Sequence, residues 1–344
     1  MKVTSVFFSF SFAFFLLSIA CNQDRPIIMT VTGSIQASQI GTTLSHEHVL
    51  VDFIGADSTG YHRWDRQKVV EKVLPFLNEA KELGVRTLIE CTPAYLGRDP
   101  ILLKMLSQKS GMQILTNTGY YGAIQNRFIP QHAFNETVDQ LVERWVKEWE
   151  QGIEDTGIRP GFIKIAVDRD DTLSLIHQKL VRAAARTHLK TGLTIASHTG
   201  PEKPAFTQLS LLEEEGVAPD AFIWVHAQNG DKAAHIKAAQ RGAWISLDNV
   251  NSDSTKIKRY AEFILNMKNN GLLQRVLISH DAGWYRVGEP DGGKFRGYTA
   301  IFRELIPALK NNGFTDDEID QLLVSNPQTA FRIKVRKIDS ATRK

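Results

Sequence analysis

Cysteine is almost missing from this chain. Cys21 and Cys91 are the only two in 344 residues. A disulfide framework is therefore excluded, and stability must come from a buried core, which a chain of this length can build. Strong charge is missing too: the formal net charge is +3 and no basic run or stripe occurs. That excludes the electrostatic footprint of a nucleic-acid binder. No apolar run reaches the ~20 residues of a membrane-spanning helix, and no internal repeat is present.

What is there begins with a leader. Met1-Lys2 gives a positive start, and Val6 to Ala20 is apolar, interrupted by serines. This reads as a secretory signal over residues 1–20. Ala20-Cys21, preceded by Leu16, Leu17 and Ile19, fits the cleavage point of a bacterial lipoprotein, although Ser18 stands where Leu is usual. Lipidation of Cys21, with residues 21–26 as a polar tether, would hang the protein from a membrane surface, periplasmic or at the cell surface. Plain secretion is the alternative. Cys91, ending the run Thr87 to Cys91, reads as a buried inert thiol.

Residues 27–332 read as one domain. Ile27 to Gly41, around Thr32-Gly33-Ser34, predicts a hairpin. Strands are then predicted at Thr43–Val49, Thr87–Cys91, Gln113–Asn117, Phe162–Ala166, Leu193–Ser197, Phe222–Val225, Trp244–Leu247 and Arg275–Ser279. Each precedes a stretch of helical periodicity, from Arg66–Leu83, capped by Asp65, to Tyr298–Leu309. Eight strand-then-helix units in a chain of this size predict an α/β fold, the (β/α)8 TIM barrel. The hairpin precedes it, and an extra C-terminal helix follows from Thr315. Residues 333–344 read as a basic tail that frays.

In such a barrel the chemistry stands where strands end. Strand one carries Ser45-His46-Glu47-His48; alternation puts His46 and His48 on one face and Glu47 on the other. Strand four carries Ile163-Lys164-Ile165, with Lys164 on the face opposite the two isoleucines and so directed into the barrel mouth. Strand five ends in Ser197-His198-Thr199, strand six in Val225-His226 and strand eight in Ser279-His280-Asp281-Ala282-Gly283. An unpaired ammonium at Lys164 is costly to bury. A Lys paired with Glu or Asp is one resolution. Capture of carbon dioxide is another: the amine becomes a carbamate whose two oxygens can bridge two cations, with imidazoles and a carboxylate as further ligands. That set suits Zn²⁺, with Mn²⁺, Co²⁺ and Fe²⁺ also compatible.

These motifs, with Asn326-Pro327, make the chain from about Ile27 to Phe331 resemble the phosphotriesterase family of the amidohydrolase superfamily. The resemblance implies a binuclear metal centre. His46, His48, carbamylated Lys164 and Asp281 would hold the more buried ion, and Lys164, His198 and His226 the more exposed one. A bridging hydroxide would attack the substrate, and Asp281 would accept its proton. Tyr121 matches a tyrosine near the metals in the family's lactonase branch. The implied activity is hydrolysis of an ester-type bond in a small molecule, a lactone or other carboxylic ester first. Phosphotriester or phosphodiester hydrolysis is the alternative, and a homodimer is left open.

The loop after strand eight, Trp284 to Tyr298, is long, aromatic and Gly-rich, and reads as a substrate wall. Trp284 and Tyr285 would line it, and Arg286, Lys294 and Arg296 would hold an anionic substrate group or instead pair with Glu289 and Asp291. His280 and Glu47 are assigned structural roles beside the ligands. His62, His132, His177, His188 and His235 are read as surface or packing residues. A metal-dependent nuclease barrel would carry Glu in place of Lys164 and a basic surface. A non-catalytic binding protein would lack some of these ligand types.

Overall fold

The computed structural model describes residues 26–338; the predicted leader with Cys21, and residues 339–344, lie outside the described residues. The hairpin forms from Ile27–Thr30 and Gly33–Gln36, paired antiparallel with Ile28 opposite Ile35. Eight parallel strands follow: Thr43–Glu47, Thr87–Glu90, a third broken into Gln113–Leu115 and Asn117–Thr118, Phe162–Ala166, Ile195–His198, Phe222–Val225, Trp244–Leu247 and Val276–Ile278. Strands one to three form one ladder and strands three to eight another. At the seam between strands eight and one, the Asp281 N–H donates to the His46 carbonyl at 3.1 Å, and Ser45 Oγ donates to the Ile278 carbonyl at 3.1 Å. These bonds close the (β/α)8 barrel predicted from the alternation of elements.

The helices start where the sequence offers caps. Asp65 accepts from the N–H groups of Gln67 and Lys68 ahead of Arg66–Glu82, and Asp99 from Leu102 ahead of Pro100–Ser110. Such a cap is worth about 1 kcal/mol. The last two helices depart from regular pitch. Ile301–Leu305 and Gln321–Ser325 are wide turns, each followed by a regular segment with proline in its first turn, Pro307 and Pro327. Proline has no N–H to give to the residue four before it, and the wider turn absorbs the missing bond.

Strand four shows how the barrel sorts its faces. Ile163 and Ile165 join the core between sheet and helices. Phe162 faces inward with Ile89, Leu115, Ile223, Trp244 and Leu277. Ile28 of the hairpin, Ile40 just after it and Phe331 of the last helix pack on this inner cluster; the Phe162 and Phe331 rings lie 5.6 Å apart. Phe162, Phe222 and Trp244 are the first residues of their strands, so this plug shuts the N-terminal end. Within the barrel, the opposite end is left for a site.

One expectation is corrected here. The tail does not fray over residues 333–338. Arg336 is buried, its N–H bonds His188 Nε2 at 2.9 Å, and its guanidinium donates to the Thr329 carbonyl at 2.9 Å and to Thr194 Oγ1 at 3.1 Å. A guanidinium fork meeting the free carbonyls of a helix end docks a segment that its basic composition marks as loose.

Candidate metal centre

At the open end, His46 and His48 come together as the strand alternation predicts, their rings 5.3 Å apart. A bulge lets strand one do this: Leu44 pairs with Leu88 but Glu47 with Glu90, so one residue is extra. His48 Nε2 lies 3.1 Å and His46 Nε2 3.6 Å from Asp281 Oδ1. On the other flank His226 Nε2 lies 2.7 Å from His198 Nδ1, and the His46 and His226 rings are 5.2 Å apart. Tyr121 Oη stands 3.2 Å from His198 Nδ1. Among the described residues, two groups of ligand atoms are close enough to hold an ion: His46, His48 and Asp281, and His226, Asp248 and Asp281.

Lys164 is 1 % exposed, and its Nζ has no hydrogen-bond partner. Burying an unpaired ammonium costs several kcal/mol, so this atom demands a partner. The alternative resolution, pairing with a Glu or Asp, does not occur among the described residues.

The electrostatics favour ligand forms. Burial, helped by Lys164, pulls His46 down to about 4. Burial and the neighbouring His226 hold His198 well below the ordinary histidine range. Both imidazoles are thus neutral, as metal ligands must be. Burial also works against charge on His226, but Asp248 outweighs it and raises that residue.

Asp248 is the residue that reading by strand ends missed. It follows strand seven directly, is fully buried, and hydrogen-bonds His226 Nδ1. It also accepts from the His226 N–H at 3.1 Å, Ser246 Oγ at 3.0 Å and Gln228 Nε2 at 3.0 Å, and lies 3.4 Å from His46 Nδ1. Burial opposes its ionisation, yet His226 and His46 hold it well below the carboxylate range. Asp248 thus orients His226, whose Nδ1–H points at it and whose Nε2 faces His198, and it stands beside His46 Nδ1, which has no hydrogen-bond partner. Thr92 does the same for His48, with Oγ1 2.8 Å from Nδ1. The available signal was position alone, a carboxylate one residue past a strand end.

Glu47 turns away from the ligands, as predicted. It accepts from Ser279 Oγ at 2.7 Å, from the His280 N–H and Nδ1 at 2.9 and 2.7 Å, and from the Ala282 N–H at 2.9 Å. His280 Nε2 in turn accepts the Ile301 N–H at 3.1 Å. This clamp holds strand eight's end while the chain turns sharply: Asp281 and Trp284 have φ of 48° and 75°. Gly283, at φ 96°, lies so close to the His48 carbonyl and Tyr298 Oη that a Cβ has no room. Such strain persists only where the surroundings enforce it.

The loop after strand eight splits the predicted substrate residues. Trp284 lies over His48, ring centres 5.0 Å apart, and donates from Nε1 to the Asp281 carbonyl at 2.9 Å. Tyr285 pairs with Leu50 in a short parallel ladder. Arg296 directs its guanidinium at the carbonyls of His280 and Asp281, and Arg286 lies 3.5 Å from Glu289. Arg286, Lys294, Arg296 and Trp284 line a mouth of about 510 Å³ with Asp281 at its floor. The other histidines are placed elsewhere: His177, His188 and His235 are buried with Nε2 or Nδ1 on the carbonyls of Gly122, Leu193 and Ala227, and His132 bonds Tyr120.

A parallel barrel with histidines, a buried lysine and a carboxylate gathered at the C-terminal ends of its strands defines a candidate metal centre of the (β/α)8 class. The comparisons narrow that class. Residues 26–331 match the model of the phosphotriesterase family. The phosphotriesterase homology protein of Escherichia coli is 30 % identical over 295 residues, 85 % of this chain and 98 % of that protein. An aryldialkylphosphatase of Saccharolobus solfataricus is 27 % identical, covering 87 % of this chain and 97 % of its own length. Organophosphorus hydrolase from Deinococcus radiodurans superposes with a TM-score of 0.78 at 27 % identity, over 89 % of this chain and 97 % of that one. The chain belongs to the phosphotriesterase family, whose members are metal-dependent hydrolases.

Proposed function

We propose that this protein is a two-cation hydrolase acting on a carboxylic ester, with lactones as the first class of substrate. The observation that carries the reading is the buried, partnerless Nζ of Lys164 among imidazoles. Attack of the neutral amine on carbon dioxide forms an N–C bond and releases a proton, leaving a carbamate that resolves the desolvation problem and offers two oxygens. His46, His48, Asp281 and this carbamate would hold one cation; the carbamate, His198 and His226 would hold the other. The cations would supply a strong nucleophile at neutral pH and polarise the substrate's oxygen. Asp281, 17 % exposed at its side chain and hydrogen-bonded to His48, is placed to take up the proton as attack proceeds. Tyr121, with Oη 3.2 Å from His198 Nδ1, and Trp284, with its ring 5.0 Å from that of His48, would flank the reacting centre.

Attack at phosphorus is the second reading, favoured by the activities in the names of the two relatives, aryldialkylphosphatase and organophosphorus hydrolase. Turnover of γ-lactones measured beside an aryl dialkyl phosphate separates the two. The centre itself is tested by elemental analysis, which should find about two transition-metal ions per chain. Lys164→Ala should lose the metals and the activity together, with partial rescue by a small carboxylic acid. One ion per chain, or unchanged turnover in Lys164→Ala, would overturn the binuclear carbamate centre.

A further inference from the structure

Glu90, the last residue of strand two, is a buried carboxylate that stands beside Glu47 of strand one in the barrel's register. Its two oxygens divide between the strands. Oε1 accepts the Val49 N–H at 3.2 Å, and Oε2 accepts the Thr92 N–H at 3.2 Å. Both partners adjoin one histidine: Val49 follows His48 in the chain, and Thr92 Oγ1 lies 2.8 Å from His48 Nδ1. Asn117 of strand three braces the same turn, its Nδ2 donating to the carbonyls of Glu90 and Thr92 at 3.0 and 3.1 Å. Burial pushes the Glu90 carboxyl up, opposed by His48 and by hydrogen bonds from Thr92 and Val49.

Thr92 decides between two states of His48. A hydroxyl has one hydrogen to give. If that hydrogen goes to His48 Nδ1, the imidazole proton sits on Nε2 and the ligand atom is blocked. Asp281 pulls the same way, with Oδ1 3.1 Å from His48 Nε2. If the hydroxyl turns to a second acceptor, Oγ1 is free to accept from Nδ1–H, and Nε2 presents its lone pair to the centre. Glu90 is the acceptor on that side, since its Oε2 already takes the N–H of Thr92 itself. A hydrogen bond to an ionised acceptor is roughly twice as strong as one to a neutral acceptor, so the carboxylate outcompetes the imidazole nitrogen for the hydroxyl hydrogen.

We propose that Glu90 is a positioning residue: acting through the Thr92 hydroxyl, it holds His48 in the tautomer whose Nε2 can bind a cation. One proton changes nitrogen, and none is gained or lost. The proposal rests on the reading of His48 as a metal ligand. It gives strand two, which supplies no ligand, a part in building the centre.

The test titrates the metal-free full chain with Zn²⁺ by calorimetry. Glu90→Gln, which keeps the size but not the charge, should weaken binding by about tenfold. Thr92→Ser keeps the hydroxyl and should stay within about twofold of native. Glu90→Gln combined with Thr92→Val should bind no more than about twofold more weakly than the poorer single variant, because both changes break one relay. Native affinity in Glu90→Gln, or losses that multiply in the double variant, overturn the proposal. Urea unfolding checks that each variant is folded, and Glu90→Asp, which draws the carboxylate back by one methylene, replaces Glu90→Gln if that variant is not. A second readout needs no metal. In protein carrying isotope-labelled histidine, the nitrogen NMR signals of His48, identified by their loss in His48→Gln, should move towards the Nε2-protonated form in Glu90→Gln. Unchanged signals overturn the proposal even where zinc binds. If native protein binds no Zn²⁺, the two-cation reading fails, and the same signals still decide the role of Glu90.

Discussion

Two buried carboxylates on the same rim, Glu47 and Asp248, show how differently one functional group can serve a barrel. Glu47 is tied wholly to strand eight, accepting from Ser279, from His280 twice and from Ala282. Its work is to fix the backbone at the barrel's closing seam. Asp248 is tied to the imidazoles, bonding His226 directly and lying 3.4 Å from His46 Nδ1. Its work is to fix tautomers. Removing the first should damage the fold, and removing the second should damage the metal site.

The largest effect is expected from Glu47→Ala. It orphans several buried donors at once, each costing about 1–3 kcal/mol without full additivity, so a loss of at least ~3 kcal/mol is expected. Urea unfolding of the metal-free protein measures it. A loss below ~1 kcal/mol would mean that the seam is held by the backbone bond from Asp281 to His46 alone.

Acid is the next lever, and it acts on the other side of the comparison. His46 falls to about 4 in the fold and titrates near 6.5 when unfolded. Between those values the unfolded chain binds a proton that the native chain refuses, so stability must fall as pH drops from 6.5 towards 4. The contribution of His46 is on the order of 3 kcal/mol, and His198 adds in the same direction. His226 works the opposite way. Raised by Asp248, it stabilises the metal-free fold below 6.5 and loses that contribution as pH climbs through its own higher value. Denaturation midpoints of metal-free protein across pH 4 to 8 should therefore rise with pH over the acid half and flatten or turn over above it. A midpoint independent of pH below 6.5 would contradict the burial of neutral imidazoles.

The division between these carboxylates also explains what could be read before folding. His46, His48 and Lys164 were visible through period-two alternation, and His198, His226 and Asp281 through their places at strand ends, while their roles as ligands were what the family resemblance implied. Glu47 was visible by the same rule, as the residue between two inward histidines. Asp248 was not: it belongs to Ser246-Leu247-Asp248-Asn249, which reads as a strand running into a polar loop, and its value lies in closeness to His46 across the barrel. Arg336 shares that difficulty. An isolated basic residue looks solvated until the fold supplies carbonyls for its guanidinium, as it does for Arg336. The wide turns before Pro307 and Pro327 show the same thing in the backbone, where periodicity marks a helix and only packing sets its pitch.

Asp248→Asn sharpens the comparison. The amide keeps volume but removes the charge that holds His226 and leaves an N–H₂ where an acceptor is needed. Loss of an imidazole's orienting partner typically costs 10- to 100-fold in metal affinity or activity. That range is expected here, with a smaller change in unfolding free energy than Glu47→Ala produces. Metal titration and urea unfolding on one preparation separate the two quantities. A variant that unfolds as easily as Glu47→Ala yet binds metal normally would reverse the roles assigned to the pair.

Thr92→Val should give the smallest effect. Thr92 serves His48 as Asp248 serves His226, but with a neutral hydroxyl at 2.8 Å instead of a carboxylate. Hydrogen bonds to ionised acceptors are roughly twice as strong as neutral ones, and valine fills nearly the same space. His48 is held besides by the overlying Trp284 ring, 5.0 Å away. The expected loss in metal affinity is therefore about tenfold or less, with the fold unaffected beyond ~1–3 kcal/mol for the unpaired Nδ1–H. If Thr92→Val cost as much affinity as Asp248→Asn, the charge on Asp248 would be irrelevant, and hydrogen-bond geometry alone would set the imidazoles.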